Sequence, residues 1–245
     1  MQAIKKEKLE MLRREILCLQ GLGTRPSSEQ PPIKLGPVLN NMPGKVFPVG
    51  AVHEFLSPTL AASAATIGFI SAVISFLMQS GKPCLWVGMR RTIFPPALKV
   101  FGIDPDRIVF IEVAKEKEAL WTIEEALKCK ALGAVIGEIK ELDFTSSRRL
   151  QLAVEDSRVT GFINRLYPRS LRPTACVARW QILPAGSQTT GGLPGIGFPR
   201  WRVELLKIRN GKPDCWQLEW SDNAFHSIDS SVQKMVSPAL QTGVA

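Results

Sequence analysis

Short apolar runs separated by breakers fill most of the chain, and they alternate in length and period. Ala51–Leu56 is short, apolar and partly β-branched, and Ser57-Pro58-Thr59 interrupts it. Leu60–Met78 is then long and rich in Ala, Ile, Phe and Leu, and Cys84–Gly88 is a second short run. Strand, helix and strand in that order make a βαβ unit. Ile108–Val113, Ala134–Ile139 and Val159–Asn164 predict three further strands. Between them Lys115–Lys130 places Ala119, Leu120, Ile123, Ala126 and Leu127 at helical spacing, and Thr145–Asp156 predicts another helix. Strands alternating with helices predict an α/β core with a mainly parallel sheet and right-handed crossovers.

The pattern changes on both sides of this core. Ala175–Leu183, Trp201–Arg209 and Cys215–Trp220 read as strands, the last two joined by Asn210-Gly211-Lys212-Pro213, which predicts an antiparallel hairpin. Near the start, Leu9, Leu12, Ile16 and Leu19 recur at spacings of three, four and three among charged residues, the seam of a short amphipathic helix. Two heptads do not hold a helix alone, so this seam is expected to dock on its own domain, a second copy or a partner. The expected organisation is an N-terminal amphipathic helix over 1–21, a Pro/Gly-rich linker over 22–48, the core over 49–222 and a flexible, largely polar tail over 223–245.

Composition narrows this picture in three places. The 31 Lys+Arg against 22 Asp+Glu leave a net charge of +9, which favours a polyanionic partner such as nucleic acid. Cys18, Cys84, Cys129, Cys176 and Cys215 lack metal-ligand spacing, so neither a zinc site nor a disulfide framework is expected, and a reducing cytoplasm fits. Leu60–Met78 approaches the length of a bilayer-crossing helix, but its serines, its threonine and the strand pattern on either side point to a core helix instead.

A loop between a first strand and a helix is where phosphate-binding ATPases hold phosphate with backbone N–H groups, a lysine and a hydroxyl on magnesium. Laid over Ser57–Ala64, that pattern finds Ser57 and Ala62 in place of glycines, Ser63 in place of the lysine and Ala64 in place of the magnesium-binding hydroxyl. A Cβ at 57 and 62 crowds the phosphate, and without the lysine its charge goes unpaired. The stretch therefore reads either as a nucleotide-binding architecture without its nucleotide, with no ATP, magnesium or other cofactor expected, or as an α/β unit that never had one.

Several segments bear a family resemblance: LWVGMRRTIFPPALKVFGIDPDRIVFIEV, EALWTIEEALKCKALGAVIGEI, DFTSSRRLQLAVEDS and the closing FPRWRVELLKIRNGKPDCWQLEW. Over about residues 47–220 the chain resembles the ImuA family, RecA-like accessory proteins of the bacterial damage-inducible mutagenesis cassette. The resemblance implies a RecA-like core and a non-catalytic role in error-prone translesion synthesis during the SOS response, in the cytoplasm at the nucleoid. The partners it implies are an ImuB-like relative of the Y-family polymerases and an error-prone DnaE-type polymerase; RecA and single-stranded DNA are further candidates, the DNA on the strength of the basic late strands. An ATP-dependent DNA-binding protein and a modulator of RecA filaments remain alternatives.

By the same resemblance Glu138 stands where a recombinase keeps its magnesium-coordinating acid, while Gly88, Met89, Arg90 and Arg91 offer no carboxylate where the catalytic glutamate belongs. Glu138 is then a metal contact, a strand-end cap or a partner of Arg148 or Arg149. For DNA, Arg165, Arg169, Arg172, Arg179, Arg200, Arg202, Lys207 and Arg209 crowd the late strands with Tyr167, Trp180 and Trp201 among them, a combination suited to phosphate contact and base stacking. Alternation along those strands also fits a solvated face with the Trp rings in the core.

Overall fold

A computed structural model describes residues 32–187 and 196–228, together with Leu12. Its helices are α1 (Leu60–Met78), α2 (Glu116–Leu127) and α3 (Phe144–Ser157). Its strands are β1 (Val52–Ser57), β2 (Cys84–Gly88), β3 (Ile108–Glu112), β4 (Ala134–Ile139), β5 (Thr160–Leu166), β6 (Ala178–Ala185), β7 (Arg200–Ile208), β8 (Asp214–Ser221) and β9 (Ala224–Ser227). They form one nine-stranded sheet in the order β3-β2-β4-β5-β1-β6-β7-β8-β9. From β3 to β6 neighbours run parallel, and from β6 to β9 they run antiparallel.

The apolar runs become strands because both faces of the parallel half are covered, which removes the need for alternation. On one face α1 packs with Phe55, Phe162, Trp180, Trp201 and Trp220, and on the other α2 and α3 cover Val52, Val87, Val135 and Ile163. Helix α1 is apolar nearly all round because it lies between the sheet and the 3-10 segment Pro95–Phe101. It has the length and hydropathy of a bilayer span, and 72% of its most apolar 18-residue stretch is buried inside the protein.

Two expected boundaries move. Residues 33–48 are no free linker: Ile33, Leu35, Val38, Met42 and Phe47 are buried in the α1-side core. The 3-10 turns at Gly36–Asn41 and Pro43–Lys45 take in Gly36, Pro37, Pro43 and Gly44, while residues 22–31 of the expected linker lie outside the described residues. The core also continues past 222, since Asp222 and Asn223, with φ of 51° and 55°, turn the chain back into β9. Two positive φ values in a two-residue loop match the twist of a hairpin, and Phe225 enters the core behind them. Of the N-terminal seam, Leu12 is helical and exposed, while Leu9, Ile16 and Leu19 lie outside the described residues.

Candidate functional site

In an open parallel sheet ligands meet the carboxyl ends of the strands. Here β1 ends at Ser57 and α1 begins at Leu60, so the connection between them is Pro58 and Thr59 alone. Proline has no N–H to offer, and Thr59 is the N-cap, its hydroxyl accepting from Ala62 N at 3.1 Å. Ser63 N is taken by Thr59 O at 2.9 Å. Of the four positions laid over the phosphate-binding pattern, Ser57 therefore closes the strand, and Ala62, Ser63 and Ala64 lie inside the helix. Ser57 is fully buried; its Oγ donates to Asn164 Oδ1 at 2.7 Å and shares a hydrogen bond with Thr66 Oγ1 at 3.1 Å. The side chain of Leu60 stands 74% exposed beside this connection.

Glu138, on β4, is 3% exposed. Its Oε1 accepts from Trp86 Nε1 at 3.1 Å and its Oε2 from Thr92 Oγ1 at 3.4 Å. Neither Arg148 nor Arg149 forms an ion pair with it among the described residues, and Arg149 pairs with Glu124 instead. With neutral donors and a buried position, its carboxyl is held above the ordinary carboxylate range, desolvation outweighing the two hydrogen bonds. Among the described residues no group of three or more His, Cys, Asp or Glu side chains is placed to hold a metal. Beside Glu138, at the ends of β2 and β3, lies a pocket of about 290 Å³ bordered by Trp86, Gly88, Arg90, Arg91, Ile93 and Phe110.

The arginines expected to meet DNA separate into two groups. Arg165 is 1% exposed and binds Glu54 Oε1 at 2.8 Å, Glu141 Oε2 at 2.8 Å and Ser170 O at 2.9 Å. It belongs to the interior and is removed from the DNA candidates. Arg179 donates to the other Glu54 oxygen at 2.8 Å, Arg200 pairs with Glu219 at 2.6 Å, and the half-buried Arg209 donates to Ala175 O at 3.2 Å. These guanidinium groups are spent on the protein itself. Arg169, Arg172, Arg202 and Lys207 are exposed, although Arg202 pairs with Glu204 at 2.8 Å and Lys207 donates to Thr174 O at 3.3 Å. Trp180 and Trp201 are core residues, at 0% and 4% exposure, and leave no ring face for a base. Tyr167, exposed just past β5 with φ of 51°, keeps one.

Two features escape sequence reasoning. Glu54, in the middle of β1, gathers Arg165, Arg179 and Thr174 around a fully buried carboxylate. Its neighbour His53 is also fully buried, donating through Nε2 to Pro48 O at 2.7 Å and accepting at Nδ1 from Trp180 Nε1 at 3.3 Å. Burial pushes its pKa down to about 4. A polar residue inside an apolar β-run is the one sequence signal for either.

No protein-family model matches the chain. It is 34% identical over 189 residues to the protein named ImuA in two strains of Caulobacter vibrioides, covering 72% of this chain and 78% of each relative. Among solved structures it is similar to the RadB recombinase, with a TM-score of 0.52 over 76% of this chain and 94% of that one. Identity there is 13%, so that likeness speaks for a RecA-like fold and nothing finer.

Proposed function

This chain belongs to the ImuA family, and from that premise we propose that it acts in damage-induced, error-prone DNA synthesis as a RecA-like accessory protein that holds partners without turning over ATP. The observation that carries this reading is the two-residue connection between β1 and α1. Phosphate binding at a helix start needs several backbone N–H groups converging from a wide loop, a cation and a metal-binding hydroxyl. Pro58 lacks an N–H, that of Ala62 is engaged by the Thr59 cap, and Ser57 is tied to Asn164 and Thr66. Transferring a γ-phosphoryl group without positioned charge around it forfeits the main source of catalysis.

The partners in this reading are an ImuB-like polymerase relative and an error-prone DnaE-type polymerase, met in the cytoplasm during the SOS response. Single-stranded DNA is a further partner, meeting the exposed set Arg169, Arg172, Arg202, Lys207 and Tyr167. Calorimetric titration of the chain with ATP and magnesium, with and without single-stranded DNA, tests the proposal. No heat of binding up to millimolar ATP is expected, and saturable binding in the micromolar range would replace the scaffold with a nucleotide switch.

A further inference from the structure

Among the described residues, strand β3 closes one margin of the sheet and pairs with β2 alone. Val113 N, just past its end, donates to Gly88 O at 3.1 Å. Alternation along a parallel strand then turns the N–H and C=O of Val109 and Ile111 toward β2, and those of Phe110 and Glu112 outward. Proteins commonly blunt such an edge with lysine, proline or a covering loop. This one carries Val109, 49% exposed, and no described strand pairs with its outer side. Phe94, 70% exposed, directly follows Ile93, which borders the pocket of about 290 Å³ at the β2 and β3 ends. The pocket's volume suffices for one apolar side chain, with the Trp86 and Phe110 rings among its lining. At its mouth Arg90 and Arg91 are exposed and form no ion pair among the described residues, against the single facing carboxylate of Glu112.

We propose that the outer edge of β3 and this pocket form a docking site for an extended, acidic segment of another protein, which adds a strand to the sheet and seats one apolar side chain beside Trp86 and Phe110. Main-chain hydrogen bonds at the edge give such binding its affinity, and the side-chain pocket gives it register. The acidic character follows from Arg90 and Arg91, whose charge steers an oppositely charged segment and rejects a like one. It also separates this occupant from a second copy, since the chain carries a net charge of +9 and its first twenty residues hold Lys5, Lys6, Lys8, Arg13 and Arg14 against Glu7, Glu10 and Glu15. The inference stands whether or not the β1–α1 connection takes nucleotide.

The test selects a phage-displayed library of random decapeptides on the immobilised full chain, then measures synthetic versions of the winners by fluorescence anisotropy. Winners are expected to carry an apolar residue flanked by Asp or Glu, and to protect the amides of Phe110 and Glu112 from hydrogen exchange in the unaltered chain. They should lose at least about tenfold in affinity for Arg90→Glu/Arg91→Glu, roughly 1.4 kcal/mol, and for Glu112→Pro. That proline removes an outward N–H and spares the β2 ladder, the one side on which an edge strand tolerates it. The hydrogen-exchange result decides the matter without either variant, should one fail to fold. Absence of winners, winners without acidic residues, or binding that leaves Phe110 and Glu112 unprotected would overturn the proposal. So would self-association of the chain that Glu112→Pro abolishes, which would make a second copy the occupant.

Discussion

Two glutamates are buried in the parallel sheet, on strands β1 and β4 with β5 between them, and their surroundings could hardly differ more. Glu54, at 0% exposure, accepts from two guanidinium groups and a threonine hydroxyl. Glu138, at 3%, accepts from an indole N–H and a hydroxyl and has no cation beside it. A buried carboxylate held by two arginines is a member of the fold, because removing it strands their charges in a low dielectric. One held by neutral donors pays desolvation without Coulombic return, and stability does not account for its presence. The difference separates a carboxylate that two guanidinium groups tie into the fold from one that only an indole N–H and a hydroxyl hold.

The sharpest way to break this contrast is Glu54→Gln. Leaving Arg165 and Arg179 without their shared carboxylate is expected to cost about 3–5 kcal/mol, read as a lowered urea midpoint at unchanged m. A cost near zero would mean that the two guanidinium groups find other acceptors.

Next in size is a pH effect from His53, the adjacent residue on the same strand. Its ring protonates near pH 4 when folded and near 6.5 in its unperturbed state. Between those values the unfolded chain binds more protons, so stability is fully present above pH 6.5 and falls by about 3 kcal/mol as the pH drops to 4. His53→Gln should flatten that part of the stability profile; an unchanged slope would assign it to other groups.

A smaller step probes the open arm of the arginine cluster. Glu141 is 43% exposed and holds Arg165 Nη2 and Arg169 N, so Glu141→Gln is expected to cost only about 1 kcal/mol. The smallest effect belongs to Glu138→Gln. Its amide keeps an acceptor for Trp86 without a charge to desolvate, and stability at neutral pH should stay within about 0.5 kcal/mol of the parent or rise. A loss matching that of Glu54→Gln would erase the distinction between the two sites.

The parallel half of the sheet was legible because burial on both faces leaves long apolar runs such as Ala134–Ile139, and α1 because charge is missing from it throughout. Residues 33–48 were not, since their buried side chains are spaced by 3-10 turns rather than by a helical or strand period. Strand β9 carries four residues, too few for a pattern, although Asp222-Asn223 before it is a turn signal that could have been used. At the β1–α1 connection, the residue types departing from a phosphate loop could be read directly. What could not be read was the length of the connection, because a motif counts residues without saying which are already strand or helix. Arg165 illustrates the limit for charges: its partner Glu54 is 111 residues away, and a basic residue in a basic stretch looks like surface until that pairing is seen.

The place of β1 in the sheet has a consequence for biosynthesis. Its neighbours are β5 and β6, so the strand made first waits for partners that begin at Thr160 and Ala178. At about 5–20 residues per second, the ribosome needs on the order of 5–25 s to supply them. Over that interval α1 has no sheet to cover its uncharged surface. A nascent chain so arranged is a client for chaperones, and its yield in a cell will track the speed of translation between β1 and β6 as closely as the stability of the finished domain.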